Sequence, residues 1–431
     1  MGLADSVRVD EAYAHLLDAQ DPLRRFRDEF YLPPDTLYLD GNSLGLLSRR
    51  AEATLLRVVD EWKRLGIGGW LDAARPWFTY AETLGEMMAP LVGARPGEVV
   101  VHASTTVNMH QLLASFYQPA GRRTKLLADE LNFPSDQYAV DSQVRLAGLD
   151  PTAHLIRVPS RDGRTIDEDD VIARLDSSVA VVVLPSVLYR SGQLLDIPRL
   201  VQAAHSQGAL IGFDCCHSVG VVPHRLSEWD VDFAFWCTYK YLNSGPGGVA
   251  ALYVNQRHAG VAPRLAGWWG NNKATQFDMS PRFDPAPDAG RFQLGTVHML
   301  SAAPLEGSLE LFAEAGIEAV REKSLRLTEY LMQLLDTLLP EERSGYRIGT
   351  PREPARRGGH VAVEHPAAIQ INAALKQRRV VPDFRYPNVI RLAPIPLYTS
   401  FHDVWRVVMH LKEIVETGEY RAFSSQRAAV A

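Results

Sequence analysis

Seven short apolar runs punctuate residues 98–255: EVVVHA, KLLAD, HLIRVP, VAVVVLPSV, ALIGFDCC, DFAFWCT and VAALYVN. They are too short for helices, and most lack the apolar–polar alternation of a strand with one wet face, so they predict strands buried on both sides. Between several of them lie amphipathic helical patterns: TTVNMHQLLASFY, DEDDVIARL and IPRLVQAAHSQG. Strands of this kind separated by such helices predict a mostly parallel sheet covered on both faces over residues 95–260. Upstream, LYLDGNSLGLL reads as a short strand running into a turn, followed by two helical patterns. In the second, Leu84, Met87, Met88 and Leu91 recur at the spacing of one helix face.

Downstream, one long helical pattern runs over 300–338. Behind it come YRIGT, HVAVEH, AAIQINAALKQ, NVIRLAP and FHDVWRVVMHLKEIVE, a mixture of short strands and helices. The expected class is α/β: a large domain with a helix-covered, mostly parallel sheet, plus a smaller α+β C-terminal domain. The expected division is a leader over 1–50 packing on the small domain, a large domain over 51–305, a small domain over 306–420 and a frayed tail over 421–431.

Composition adds exclusions. A formal net charge of −6 provides no basic field for nucleic acid or an anionic membrane. Three cysteines, Cys215, Cys216 and Cys237, without C-x-x-C spacing argue against a structural zinc site and for a reducing compartment. No run has signal-peptide or membrane-spanning length, so the expectation is a cytoplasmic protein. MGLADS fits the N-myristoylation pattern only formally, a motif with many chance matches.

Candidate chemistry follows from position. Ligands of open parallel sheets bind beyond the carboxyl ends of the strands. Past EVVVHA, Ser104, Thr105 and Thr106 open a helix whose free N–H groups suit a phosphate. Past KLLAD stand Phe133, Ser135 and Asp136; past ALIGF stands Asp214, with His217 three residues on; past DFAFWCT come Tyr239 and Lys240. Lys240 is one of seven lysines against 38 arginines, set between two tyrosines and before the turn NSGPGG. A desolvated lysine there becomes a better amine nucleophile, although a lysine snorkelling from a strand end is the plainer reading. Each of the others has a dull reading too, as a helix cap or a core residue. Together they are what pyridoxal 5′-phosphate (PLP) needs: hydroxyls for its phosphate, an aromatic to stack, a carboxylate for its ring nitrogen and a lysine for the aldehyde.

Here the chain resembles the kynureninases, of bacterial type, within the aspartate-aminotransferase-like (fold type I, class V aminotransferase branch) PLP enzymes. The resemblance rests on LYLDGNSLGL, FPSDQYA, DCCHSVGVVPHRLSEWDVDFAFWCTYKYLNSGPGG, AGWWG and PNVIRLAPIPLYTSFHDVW, spanning 38–410. It implies Lys240 as the Schiff-base lysine, Asp214 as the partner of the pyridine nitrogen and Phe133 as the stacking ring. Thr105, Thr106, Asp136, His217 and Tyr239 would surround the cofactor. Trp268 and Thr296 (of FQLGTVH) would reach the phosphate from a neighbouring subunit, implying a homodimer. Arg391 would grip the substrate α-carboxylate, with Asn42 and Ser43 nearby. The implied activity is hydrolysis of the Cβ–Cγ bond of L-kynurenine to anthranilate and L-alanine. Its implied setting is tryptophan and kynurenine catabolism and NAD biosynthesis.

Some positions depart from the family pattern. Cys215 and Cys216 stand where Leu-Ala is commoner. Pro185 falls where a serine often reaches the cofactor, and Ser186 beside it is the candidate replacement. Trp70 with Gly295 and Thr296 stands where the animal enzymes carry His and Ser-Asn, which implies a preference for L-kynurenine over its 3-hydroxy form. Two rivals share the fold. A cysteine desulfurase would place a histidine before the lysine and a cysteine late in the chain, whereas here Tyr239 precedes Lys240 and nothing follows Cys237. An aminotransferase would release a keto acid without anthranilate. A non-catalytic PLP-binding regulator lacks an appended DNA-binding module, and a dinucleotide-binding enzyme lacks its G-x-G-x-x-G.

Overall fold

The computed structural model describes residues 8–426. MGLADS and the last five tail residues, 427–431, lie outside it, so the expectations made on them are not addressed. The strands are β1 Leu37–Tyr38, β2 Val99–Val101, β3 Lys125–Asp129, β4 Leu155–Val158, β5 Val179–Pro185, β6 Leu210–Asp214, β7 Phe233–Cys237, β8 Ala250–Val254, β9 Arg347–Ile348, β10 Val361–Glu364, β11 Val380–Val381, β12 Asp383–Arg385 and β13 Val389–Leu392. The helices that matter below are α1 Glu11–Ala19, α2 Arg49–Leu65, α3 Thr105–Phe116, α4 Pro134–Leu146, α5 Met299–Ala315, α6 Ile317–Leu338 and α7 Phe401–Thr417.

The seven apolar runs become one seven-stranded sheet in the order β2-β8-β7-β6-β5-β3-β4. Its inner pairs are parallel, and β8 runs antiparallel to both neighbours. Every residue of β5, VAVVVLP, is buried, the result expected of a strand covered on both faces. The small-domain segments form a four-stranded antiparallel sheet, β12-β13-β10-β9. β1 pairs in parallel with β11. Neither β11 nor β12 is foreseen in the sequence, because VVPDFRY is short, proline-containing and without a clean period.

Local signals set the helix ends. The Ser48 hydroxyl accepts from the Ala51 amide to start α2, which stops at Gly66 with φ +53°. Ser400 and Asp403 cap each other's backbone at the start of α7. The long pattern over 300–338 resolves into two helices, α5 and α6. They break at Gly316, whose φ of +77° is a conformation that glycine adopts without strain.

Among the described residues there are two large apolar cores and a small third cluster of Val58, Ala73, Trp77 and Ala303. The larger packs the central sheet against its helices. The smaller joins Leu327, Leu331 and Leu335 of α6, Ile390 and Leu392 of β13, and Val404, Val408 and Leu411 of α7. The leader contributes to both: Ala14, Leu37 and Leu39 to the smaller, Leu23, Phe26 and Phe30 to the larger. Among the described residues, no helix is long and apolar enough to cross a membrane.

Candidate active site

The carboxyl ends of β5, β6 and β7 converge on Lys240. Asp214 is the last residue of β6, buried, and its Oδ1 accepts the Cys216 amide at 2.7 Å. His217 follows one short turn later. Its Nε2 lies 3.0 Å from Lys240 Nζ, and its Nδ1 is buried without a partner. Burial, helped by the nearby charges of Lys240 and Arg391, holds the His217 imidazole well below its ordinary pKa, so the ring is neutral. A lysine ammonium donating to Nε2 then places the ring proton on the orphaned Nδ1.

Phe133 stands at the N-terminus of α4, and its partly exposed ring lies 5.9 Å from Lys240 Nζ. Asp136, one turn into α4, is buried against Asp214. Burial and the Asp214 charge push its carboxyl well above the usual range, so Asp136 keeps its proton beside Asp214. Asp136 Oδ2 has no hydrogen-bond partner. Thr105 and Thr106 open α3 behind Ser104, which makes no side-chain cap, and Ala103 just before them has φ +42°. The Cys216 thiol lies 3.9 Å from Thr105 Oγ1. All three cysteines are buried free thiols.

Tyr239 is half-buried. Burial, and then the neighbouring Cys237 and Cys216, raise its hydroxyl above the ordinary tyrosine value, so it stays protonated at neutral pH. Its carbonyl accepts the Gly45 amide at 2.8 Å, which lays the NSLG turn on the Lys240 loop. A Cβ on Gly45 would sit 2.4 Å from Lys240 O, which is why that turn ends in glycine.

Across the pocket stands Arg391. β13 pairs Arg391 directly opposite Asp383 of β12, and both are buried. Alternation along β13 sends Ile390 and Leu392 into the small core and Arg391 to the other face. Asp383 takes Arg391 Nε and also Arg385 Nε, the latter at 2.8 Å. Arg391 Nη1 donates to Tyr189 O at 2.7 Å and Nη2 to Ser43 Oγ at 3.0 Å. An incoming carboxylate can take over those last two donors while Asp383 holds the Nε edge. The Tyr189 ring meets Phe133 edge-on at 5.2 Å, completing a chain of contacts from Lys240 to Arg391. Asn42 is fully buried with both side-chain polar atoms unpartnered.

Trp70, Trp268 and Thr296 take no part in this cluster within one chain. Trp70 packs on Trp77 and Trp269, Trp268 on Trp269 and Phe277, and Thr296 is exposed. Ser186 does not reach the pocket as a replacement for the serine missing at Pro185. It is fully buried, with its hydroxyl on Asp214 O at 3.0 Å and on Ser218 Oγ at 2.7 Å.

Four residues not singled out in the sequence join the site: Asp40, Tyr189, His360 and Asp383. The Asp383–Arg391 pairing was not readable in the sequence, because β12, which carries Asp383, was not. His360 is fully buried with its ring 5.9 Å from that of His217, and burial and Arg391 hold it well below its ordinary pKa. Nothing in the sequence marks it. Asp40 lies within LYLDGNSLG. Burial, then the charge on Asp383, pushes its carboxyl up to about 6.

That shift sets a pH dependence. The folded state binds this proton more tightly than the unfolded chain does. Stability from it is therefore full below about pH 4 and lost as pH rises through about 6, by at most about 3 kcal/mol. The variant Asp40→Asn should lack this loss, so its stability relative to the parent should be higher at pH 7 than at pH 4. Urea midpoints at the two pH values measure it, and an equal difference at both would show that Asp40 titrates normally.

These groups fit PLP on the structure's own terms. The buried Asp214 carboxyl, with Asp136 beside it carrying one orphaned oxygen, suits a cationic ring N–H. The unpartnered His217 Nδ1 suits a polar substituent, the partly exposed Phe133 ring suits a flat ring, and an uncapped helix start suits a phosphate.

Comparison with known proteins gives a consistent result. The family model described as "Kynureninase C-terminal domain" matches residues 320–411. Over 97% of both chains, the protein is 58% identical to a protein named kynureninase from Geobacillus thermodenitrificans (strain NG80-2). Over 99% of both it is 56% identical to the protein of that name from Shouchella clausii (strain KSM-K16). Among solved structures, it is similar to a cysteine desulfurase from Thermococcus onnurineus NA1 in its apo form. The TM-score is 0.77, with 17% identity over 91% of this chain and 98% of that one. A C-DES variant with glycine covalently linked to its PLP cofactor matches equally well, at TM-score 0.77 and 17% identity over 90% and 99%. At such identity the structural likeness shows the fold alone.

Proposed function

The chain belongs to the kynureninase family, and from that premise we propose that it uses PLP to hydrolyse the Cβ–Cγ bond of L-kynurenine, yielding anthranilate and L-alanine. The observation that carries the proposal is the contact chain joining Lys240 at one end of the pocket to Arg391 at the other through Phe133 and Tyr189. It sets an amine and a carboxylate receptor at the two ends of one connected cluster of side chains, as an α-amino acid requires.

When bound, PLP supplies an electron sink for charge developing at the substrate Cα. Lys240 would hold the cofactor and move the proton at Cα. The Asp214 carboxylate, with Asp136 beside it, would keep a proton on the ring nitrogen. Neutral His217 would donate from Nδ1 to a polar group of the cofactor. Phe133 would cover a ring face, and Thr105 and Thr106 would hold the phosphate. Arg391, steadied by Asp383, orients the substrate through its α-carboxylate, with Ser43 and Asn42 alongside. Water would add to the γ-carbonyl, the Cβ–Cγ bond would break to release anthranilate, and Tyr239, kept protonated, would donate its proton to Cβ. Positioned acid–base help of this kind is worth about 10²–10⁴-fold. Tyr239→Phe should therefore retain bound PLP, seen in its absorption spectrum, while turnover falls by about that factor. Near-normal turnover would remove Tyr239 from proton transfer.

The finer reading is a homodimer with shared sites, Trp268 and Thr296 of one chain reaching the other's phosphate. The support is an exposed apolar surface on each chain, with Trp268, Phe277, Met279, Ile67 and Leu71 all substantially uncovered. Trp70 and Thr296 on that side would set a preference for L-kynurenine over 3-hydroxy-L-kynurenine, in a cytoplasmic enzyme of tryptophan and kynurenine catabolism. The four-part division into leader, large domain, small domain and tail is part of the same reading, supported by the two separate cores.

The test is to incubate the PLP-loaded protein with each substrate and quantify alanine and the aromatic product. Equimolar alanine and anthranilate, formed faster than 3-hydroxyanthranilate, support both the reaction and the pocket reading. A reversed preference discards the pocket reading. No alanine from either substrate discards the reaction.

A further inference from the structure

Away from the pocket, three side chains from two helices meet at the seam between the leader and the end of the chain. Glu11 and His15 stand one helical turn apart on α1, and His402 is the second residue of α7. One ligand atom from each lies within 4.8 Å of the other two. His402 Nε2 is 2.8 Å from Glu11 Oε1, and the His15 and His402 rings face each other with centroids 4.1 Å apart, tilted by 31°. Among the described residues, His15 makes no hydrogen bond through its ring. Two imidazoles brought this close, with a carboxylate on one of them and no proton donor between the rings, form a donor set without a cation.

The scaffold under the three residues is fixed. The Asp18 carboxylate accepts the Phe401 amide at 2.7 Å and the His402 amide at 3.1 Å, so α1 caps the start of α7. Trp405 Nε1 donates to Val9 O at 2.8 Å, and the Trp405 ring stacks on His402 with an interplanar angle of 13°. Ala14 is fully buried in the small core. The chain therefore holds the backbones of all three residues and leaves their side chains free to close on an ion.

We propose that Glu11, His15 and His402 form a binding site for a divalent transition-metal ion of the zinc type, clipping the leader helix to the C-terminal helix. Two imidazoles and one carboxylate match the borderline character of Zn²⁺ and are poor ligands for Mg²⁺ or Ca²⁺, which prefer all-oxygen sets. Zinc–ligand distances of about 2.0–2.2 Å need the three atoms to draw together by roughly 1 Å, within reach of rotation about the exposed Glu11 and His15 side chains. Water completes the coordination. The site lies outside the proposed catalytic pocket, so its role is to fasten a leader that contributes to both cores.

The experiment uses the full-length, PLP-loaded protein stripped of metal, titrated with Zn²⁺ by calorimetry in a non-chelating buffer. The parent should bind one equivalent per chain with micromolar or tighter affinity. Its melting temperature should rise as Zn²⁺ increases. Loss even of a residue that only supports a ligand costs about 10–100-fold in metal affinity, so His15→Ala and, separately, Glu11→Gln should each weaken this equivalent by at least that factor. Both should abolish the zinc-dependent rise in melting temperature. Neither residue is in the core, so both metal-free variants should melt as the metal-free parent does, and that comparison separates ligand loss from unfolding. If the parent takes up no stoichiometric Zn²⁺ below roughly 100 µM, or binds it as tightly after both substitutions, the proposal is overturned.

Discussion

Lys240→Ala should end multiple turnover, with kcat lower by at least about 10⁴-fold, the upper end of what positioned proton transfer supplies. The reason is geometric. Among the described residues, the only amine beside His217 and Phe133 is Nζ of Lys240, 3.0 Å from His217 and 5.9 Å from the Phe133 ring. The next lysine along the chain, Lys273, is bound instead to an aromatic pair, Phe78 and Trp269. Borohydride reduction should fix PLP to the parent and not to the variant. Circular dichroism should match the parent, because the side chain removed is only partly buried. Sustained multiple turnover by a folded Lys240→Ala would sink the assignment of this lysine.

The second large effect belongs to Arg391. Its guanidinium and the Asp383 carboxylate are each 1% exposed, so removing one leaves the other charged in a dry site. Breaking a buried pair in this way costs about 3–5 kcal/mol. Arg385, which also bonds Asp383, should keep the loss at the lower end for Arg391→Ala. Charge-assisted hydrogen bonds are worth about 1.5–3 kcal/mol each, so losing one from the substrate carboxylate should lower kcat/KM by about 10- to 100-fold, mainly through KM. Arg391→Lys separates the two losses. It restores a charge beside Asp383 and with it much of the stability, but a lysine cannot offer the guanidinium fork, so KM should remain high. Denaturant midpoints and steady-state kinetics on both variants read this out. A parental KM in a folded Arg391→Ala would remove Arg391 from substrate recognition.

Much of this site was legible along the chain because each part lies next to a local signal. Asp214, Phe133 and Lys240 each stand just past an apolar run, and the end of such a run is where a parallel sheet presents its ligands. The helix start at Thr105 needs only its neighbours to be recognised. Gly45 shows the limit of that reasoning. Its conservative look within NSLG gives no hint that a methyl group there would meet the carbonyl of Lys240, 195 positions away in the chain. Ser186 makes the same point from the other side. Adjacent to Pro185, it reads as a substitute donor, yet in the fold its hydroxyl turns inward to Asp214 and Ser218.

By itself the sequence determined the seven strands of the central sheet, the helices between them and the residues at the strand ends, since apolar period, run length and capping are properties of neighbours. Only the tertiary structure decided the antiparallel placement of β8 and the opposition of Asp383 to Arg391. It alone revealed the buried His360 and the meeting of Glu11 and His15 with His402. Each of these depends on which distant segments share a low-dielectric space. There, a proton kept on Asp136 or a neutral His217 is fixed by burial and by charges the linear order does not place together.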